Sequence, residues 1–151
     1  MLFRSFESRL VPERLTFEGD DRLPEFGFGI TNIVARPTPG IDTLKPEEYA
    51  AGRARLRAKV TRYKPAVVAL VGVTVFRAMF PERKGRVEPG LQEERLGASQ
   101  VFVLPNPSGR NANFTYVEML AAFKALRSLL RASPAARESS PPGGAHRRRG
   151  R

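Results

Sequence analysis

Val67-Val-Ala-Leu-Val71 is a short run without a polar side chain, and Val101-Phe-Val-Leu104 has the same character. Both are near-continuous in hydrophobicity and rich in β-branched residues, the pattern of parallel strands covered on both faces. Gly29-Ile-Thr-Asn-Ile-Val34 reads as a third, more mixed strand. Helical patterns lie between these runs. Pro46 suits a first helical position, and Glu47 and Glu48 favour the positive end of a helix dipole. Tyr49, Leu56, Val60 and Tyr63 continue as a helical stripe that Pro65 stops. A last helix opens with the capping pattern Thr115-x-x-Glu118 and carries Tyr116, Leu120, Phe123, Leu126 and Leu130 on one face. A shorter helix is expected from Thr16 towards Leu23. Strands alternating with helices predict an α/β layer fold.

The length of 151 residues fits one domain and a tail, and 41% hydrophobic residues suffice for a core. With no Cys, disulfides, Cys-ligated zinc, iron–sulfur clusters and thiol nucleophiles are excluded. The single His is His146, far from any apolar run, so no Ser-His or Cys-His pair belongs to the core. The longest apolar stretch, Ala66 to Phe76, falls short of the roughly 20 residues that span a bilayer. Arg4, Glu7 and Arg9 interrupt the N-terminal apolar residues, which therefore do not read as a signal peptide. A soluble, cytoplasmic, monomeric protein without a membrane partner is expected.

The chain is strongly basic, with 26 Lys and Arg against 15 Asp and Glu and a net charge of +11. Five Arg against Glu138 place +4 of this in residues 132–151 and leave +7 in the rest. Those last residues lack apolar periodicity and read as a disordered basic tail behind a domain of residues 1–131. The excess charge points to a polyphosphate partner, although Arg-rich tails also act simply as solubilisers. In the leading helix, Arg53, Arg57, Lys59, Arg62 and Lys64 lie mostly off the apolar stripe and are candidates for phosphate contact.

Ligands of an open parallel sheet bind outside the carboxyl ends of its strands. Two polar segments leave the predicted strands there, Thr31-Asn-Ile-Val-Ala-Arg-Pro-Thr-Pro-Gly40 and Leu104-Pro-Asn-Pro-Ser-Gly-Arg-Asn111. Each offers amides, hydroxyls and an Arg, and neither holds a carboxylate, a His or a Lys. Such groups do not titrate near neutrality, so strong general-base chemistry is excluded. They orient water, read the edge of a base and stabilise a departing anion. Taken singly, each segment also has the composition of an ordinary turn.

Other classes fit less well. Gly72-Val-Thr-Val-Phe76 lacks the glycines and the Lys of a nucleotide triphosphate loop. Aromatic residues are 9% of the chain and do not alternate with basic ones, against a base-stacking RNA module. Asp20-Asp21 and Glu93-Glu94 are adjacent pairs that read as solvated loop or helix charge, so no metal site is expected.

Gly29-Ile-Thr-Asn-Ile-Val-Ala-Arg-Pro-Thr38 and Val103-Leu-Pro-Asn-Pro-Ser-Gly109 resemble two signature segments of the mismatch-specific uracil-DNA and thymine-DNA glycosylases. Similarity extends over Pro65 to Phe80 and the last helix. The resemblance implies a three-layer α/β/α sandwich around a short parallel sheet. It also implies cofactor-free hydrolysis of the base–sugar bond of a uracil or thymine flipped from double-stranded DNA. By this resemblance Asn32 contacts the flipped pyrimidine and Thr38 helps to hold the attacking water. Asn106, Pro107, Ser108, Gly109, Arg110 and Asn111 form the loop that grips the strand, with Arg110 as the wedge that fills the vacated stack. Sibling families begin this loop with His-Pro-Ser, where Asn106 stands here.

The family also has a central strand ending in a Gly-Ile-Asn-Pro-Gly-type motif, whose Asn positions the water. No such motif occurs in these residues, which begin at Met1-Leu-Phe-Arg-Ser-Phe6. The expectation is a member that lacks this strand, either through a misplaced start, which the close match of the remaining segments favours, or as a degenerate fragment, with a gap between the predicted strands at Gly29–Val34 and Val67–Val71. Two functions follow from it: a DNA repair glycosylase of reduced activity, and a non-catalytic DNA-binding remnant of that family.

Overall fold

The computed structural model describes residues 2–14, 17–34, 44–106 and 114–133. Four α-helices, α1 (Leu2–Glu7), α2 (Pro46–Tyr63), α3 (Val73–Met79) and α4 (Tyr116–Ala132), accompany strands β1 (Val67–Val71), β2 (Gly90–Leu96) and β3 (Ser99–Leu104). A 3-10 helix spans Phe17–Phe26, over the region where a short helix was expected. The strands form one sheet in the order β1-β3-β2.

β1 and β3 pair in parallel, from Val67 opposite Gln100 to Val71 opposite Leu104. Their side chains alternate between two cores, as strands covered on both faces require. Val68, Leu70, Val101 and Val103 face one core together with Val60 of α2 and Phe76 and Met79 of α3. Phe102, Leu104, Val67 and Val71 face the other with Phe123 and Leu126 of α4. The result is helices on both sides of a sheet, the expected α/β sandwich. A satellite core of Val11 and Leu23, with Phe26 and Phe28 against it, packs the N-terminal segments together.

Two elements differ from the sequence reading. Gly90–Leu96 is a strand, antiparallel to β3, so the sheet is mixed and not purely parallel. Its burial alternates, but the residues pointing in include Gln92 and Glu94, so hydrophobicity alone does not reveal it. Glu93 and Glu94 therefore lie on a strand, where Glu94 pairs with Arg83 at 2.9 Å. Charge of this kind guards an edge strand against pairing with another chain. Gly97, at φ 60, supplies the positive φ that the first position of a type II′ hairpin turn needs.

Gly29–Val34, in contrast, is not a strand: residues 29–32 are exposed and 33–34 half-buried in irregular backbone. The segment lies along α2. Lys59 Nζ donates to Thr31 Oγ1 at 2.6 Å and Arg55 Nη2 to the Ile33 carbonyl at 3.4 Å. Ile33 sits over Gly52, where a Cβ would come within 2.8 Å of Ile33 Cγ1 and closer still to its carbonyl oxygen. As the chain advances from Thr31 to Ile33 its partners step back from Lys59 to Gly52, so it runs antiparallel to α2. A strand needs a neighbour for its ladder. Among the described residues β1 pairs with β3 alone, and this segment does not reach the other edge of β1.

Both long helices begin as read. Glu48 Oε2 accepts from the Lys45 amide at 2.9 Å ahead of α2. Thr115 and Glu118 form the reciprocal cap of α4, with the Thr115 amide donating to Glu118 Oε2 at 2.7 Å. On α2, Val60 is buried, but Tyr63 is 69% exposed and lies beside Arg62, outside the core stripe assigned to it. On α4 the buried residues are Met119, Phe123 and Leu126, while Tyr116 is exposed. The tail expected over residues 132–151 lies outside the described residues beyond Ser133.

Two N-terminal turns close with the same bonds. Gly27 donates to Pro24 and Phe28 to Leu23, both at 3.0 Å, with Gly27 at φ 78. Arg9 donates to Phe6 and Leu10 to Ser5, both at 2.8 Å, with Arg9 at φ 57. The left-handed position of this closure belongs to glycine by preference, and a side chain there costs roughly 1–2 kcal/mol.

Candidate functional site

The carboxyl edge of the parallel pair is built by Gly72 and residues 104–106. The Gly72 amide donates to the Leu104 carbonyl at 2.7 Å, one step beyond the last register pair. Gly72 then turns at φ 103, a conformation open to glycine, and its carbonyl accepts from Val75 and Phe76 to start α3. On the other strand Pro105 is fully buried, and Asn106 emerges exposed at the rim. A Cβ on Gly72 would meet Asn106 Cβ at 3.6 Å, so the two residues adjoin.

Of the predicted site residues, Asn106 therefore stands where a ligand of this sheet would approach. Asn32 is exposed between Thr31 and Ile33, both of which are bonded to α2. The structure thus holds the two asparagines on different elements, one on the flank of α2 and one at the end of β3. Thr38, Pro107, Ser108, Gly109, Arg110 and Asn111 lie outside the described residues.

The basic face of α2 divides by its contacts. Arg53 Nη1 donates to the Ala78 carbonyl at 2.9 Å and ties α2 to α3, and Lys59 is engaged with Thr31. Arg53, half-buried, is thus positioned for packing, in contrast to its reading as a phosphate ligand, whereas Lys59 stays exposed. Arg57, Arg62 and Lys64 are exposed. Sequence reading placed Pro105 in a rim segment but gave Gly72 no part in it, although both set the rim. Their signal was present in a glycine directly after a five-residue apolar strand and a proline directly after the last apolar residue of its partner.

Chemically the rim offers amide hydrogen bonding. The segments of Asn32 and Asn106 hold no carboxylate, His or Lys from residue 31 to 40 or from 104 to 111. Among the described residues no group of three or more His, Cys, Asp and Glu side chains is placed to hold a metal ion. No described helix is long and apolar enough to cross a membrane.

Comparison with models of known protein families matches residues 1–130 to the uracil DNA glycosylase superfamily. That match takes in β1, α3 and β3, the elements that meet at the rim, and nearly all of α4. The protein thus belongs to the uracil DNA glycosylase superfamily, the DNA-acting hydrolases that begin base excision repair by cleaving the bond between a base and its sugar.

Proposed function

We propose that this protein acts within that superfamily as a mismatch-specific glycosylase, releasing uracil or mismatched thymine that has been flipped out of duplex DNA. The observation that carries the reading is the placement of Asn106. It is the exposed first residue of Asn-Pro-Ser-Gly-Arg at the carboxyl end of β3, behind a buried proline. Asn106 to Asn111 grip the strand and Arg110 enters the stack that the base leaves. The Asn32 amide donates to and accepts from the pyrimidine edge, which no carboxylate does. Thr38 donates or accepts one hydrogen bond at the attacking water.

The chemistry suits these groups. The base leaves as an anion while the sugar becomes oxocarbenium-like, so little basicity is required of the protein. Rate then depends on holding the water and on hydrogen bonds to the departing base. No cofactor takes part, and the protein works as a cytoplasmic monomer. We assign residues 1–131 to the glycosylase domain and residues 132–151 to a basic tail.

One observation favours a second reading, a non-catalytic DNA-binding role. These 151 residues contain no Gly-Ile-Asn-Pro-Gly-type motif, and β1 keeps an edge that no described strand pairs. Water positioning then falls on Thr38 with fewer partners, and misplacement by ~1 Å costs about a hundredfold in rate. Base release from duplexes holding U·G, U·A and T·G pairs separates the two readings. Slow release with the mispairs preferred supports the glycosylase; tight duplex binding without release of any base supports the remnant.

A further inference from the structure

The chain leaves α2 through a run of exposed residues, Thr61 to Lys64, and Tyr63 among them is 69% exposed. The Arg62 guanidinium lies over the Tyr63 ring, 5.3 Å from its centroid, within the reach of a cation–π contact. That contact steadies the ring, and at this exposure its opposite face stays open to solvent. Lys64 follows at φ 46, the left-handed closing position that belongs to glycine by preference. Other residues held in that region cluster at ligand clamps and active sites.

This end of α2 stands at the amino end of the sheet. Ser99 Oγ donates to the Pro65 carbonyl at 2.6 Å, and the Gln100 amide to the Ala66 carbonyl at 3.0 Å. From Ala66 to Gly72 the chain is extended backbone paired with β3. At ~3.3 Å per residue that length covers about 20 Å. Tyr63 and the rim thus lie beyond opposite ends of β1.

The charge around Tyr63 has one sign. No Asp or Glu occurs between Glu48 and Glu82, and Arg62 and Lys64 flank the tyrosine directly. The pairs at that end of the sheet, Leu96 with Ser99 and Arg95 with Gln100, add no carboxylate. Arg22, Arg83 and Arg86 each meet a carboxylate, whereas among the described residues Arg62 and Lys64 do not. Together they outweigh the roughly half negative charge of a helix end.

A ring between two cations fits a polyanion that carries flat groups between its charges. Nucleic acid has that form, and the ring stacks only on a base that is unpaired. We propose that the end of α2 binds single-stranded DNA, with one base stacked on Tyr63 and the adjoining phosphates on Arg62 and Lys64. This surface is separate from the rim and does not rest on the reading of Asn32 or Thr38.

Fluorescence anisotropy of the full chain with labelled oligomers tests it. The probes are a single strand of deoxyadenosine, which offers Asn32 no pyrimidine, the same strand made abasic, and a duplex of equal length. The strand with bases should bind about fivefold or more tighter than the abasic one. Tyr63→Leu should weaken the strand with bases by about fivefold or more and leave the abasic strand and the duplex unchanged. Tyr63→Phe should keep the affinity, and the exposure of Tyr63 lets both variants keep the melting temperature. Equal binding of the two single strands would overturn the proposal, since charge alone would serve any polyanion, an acidic protein segment included. Unchanged affinity in Tyr63→Leu would overturn it as well. So would equal losses in the Leu and Phe variants, which would make the hydroxyl and not the ring the contact.

Discussion

The Gly72 amide donates to the Leu104 carbonyl at 2.7 Å and joins the residue that follows β1 to the last residue of β3. That bond and the φ of 103 at Gly72 fix where α3 departs and where Asn106 emerges. Ala at position 72 has room, since its Cβ would make ordinary contact with Asn106, so its penalty is conformational. Gly72→Ala should therefore destabilise the protein by about 1–3 kcal/mol. Denaturant unfolding checks this, and an unchanged midpoint would show that the turn relaxes without strain.

The cap of α4 makes a pH-dependent contribution. The Thr115 amide, and after it the Thr115 hydroxyl, hold the Glu118 carboxyl below its ordinary pKa. A depressed carboxylate stabilises the fold above its unfolded pKa and loses that contribution as pH falls through the folded pKa. Glu118→Gln should thus flatten the decline of melting temperature below the usual carboxylate range. Thr115→Ala should lower stability by about 1 kcal/mol at neutral pH. An acid limb identical to that of the unmodified protein in the Gln variant would show the pair to be unimportant.

Binding to undamaged duplex should weaken with salt, with a log–log slope of about −0.9 for each phosphate neutralised. Arg57→Ala and Arg62→Ala should each reduce the slope by about 1. Arg53→Ala should leave it unchanged and instead cost about 1 kcal/mol of stability through the lost bond to Ala78. Equal effects of all three on the slope would return Arg53 to the DNA face.

Arg110 should behave as a wedge. Extruding a base costs a few kcal/mol of stacking and pairing, part of which an inserted side chain offsets. Arg110→Ala should accordingly reduce base release from paired duplex more than from single strands. Equal losses on both substrates would reduce its role to phosphate contact.

The parallel pair and the long helices were legible because their residues repeat a local rule. Val67–Val71 is apolar throughout, and Thr115 with Glu118 spells its own cap. β2 was hidden because an edge strand with Glu93, Glu94 and Arg95 carries its pairing in the backbone. Gly29–Val34 misled for the opposite reason. Its β-branched residues favour extended backbone, yet its place is set by Lys59, Arg55 and Gly52, far along the chain. The residue types at Asn32 and Asn106 were readable, whereas the placing of Asn106 at the rim and of Asn32 along α2 follows from tertiary contacts.

The most direct measurement is single-turnover release of uracil from a U·G duplex, by the unmodified chain and by Asn32→Ala at equal folded concentration. Reading of the base by the Asn32 amide predicts slow release that falls by about tenfold or more in the variant, as expected when a site's paired hydrogen-bonding group is lost. Asn32 is exposed, so the melting temperature should hardly change. Unaltered release with a lowered melting temperature would contradict the account and leave Asn32 as a structural residue of its turn.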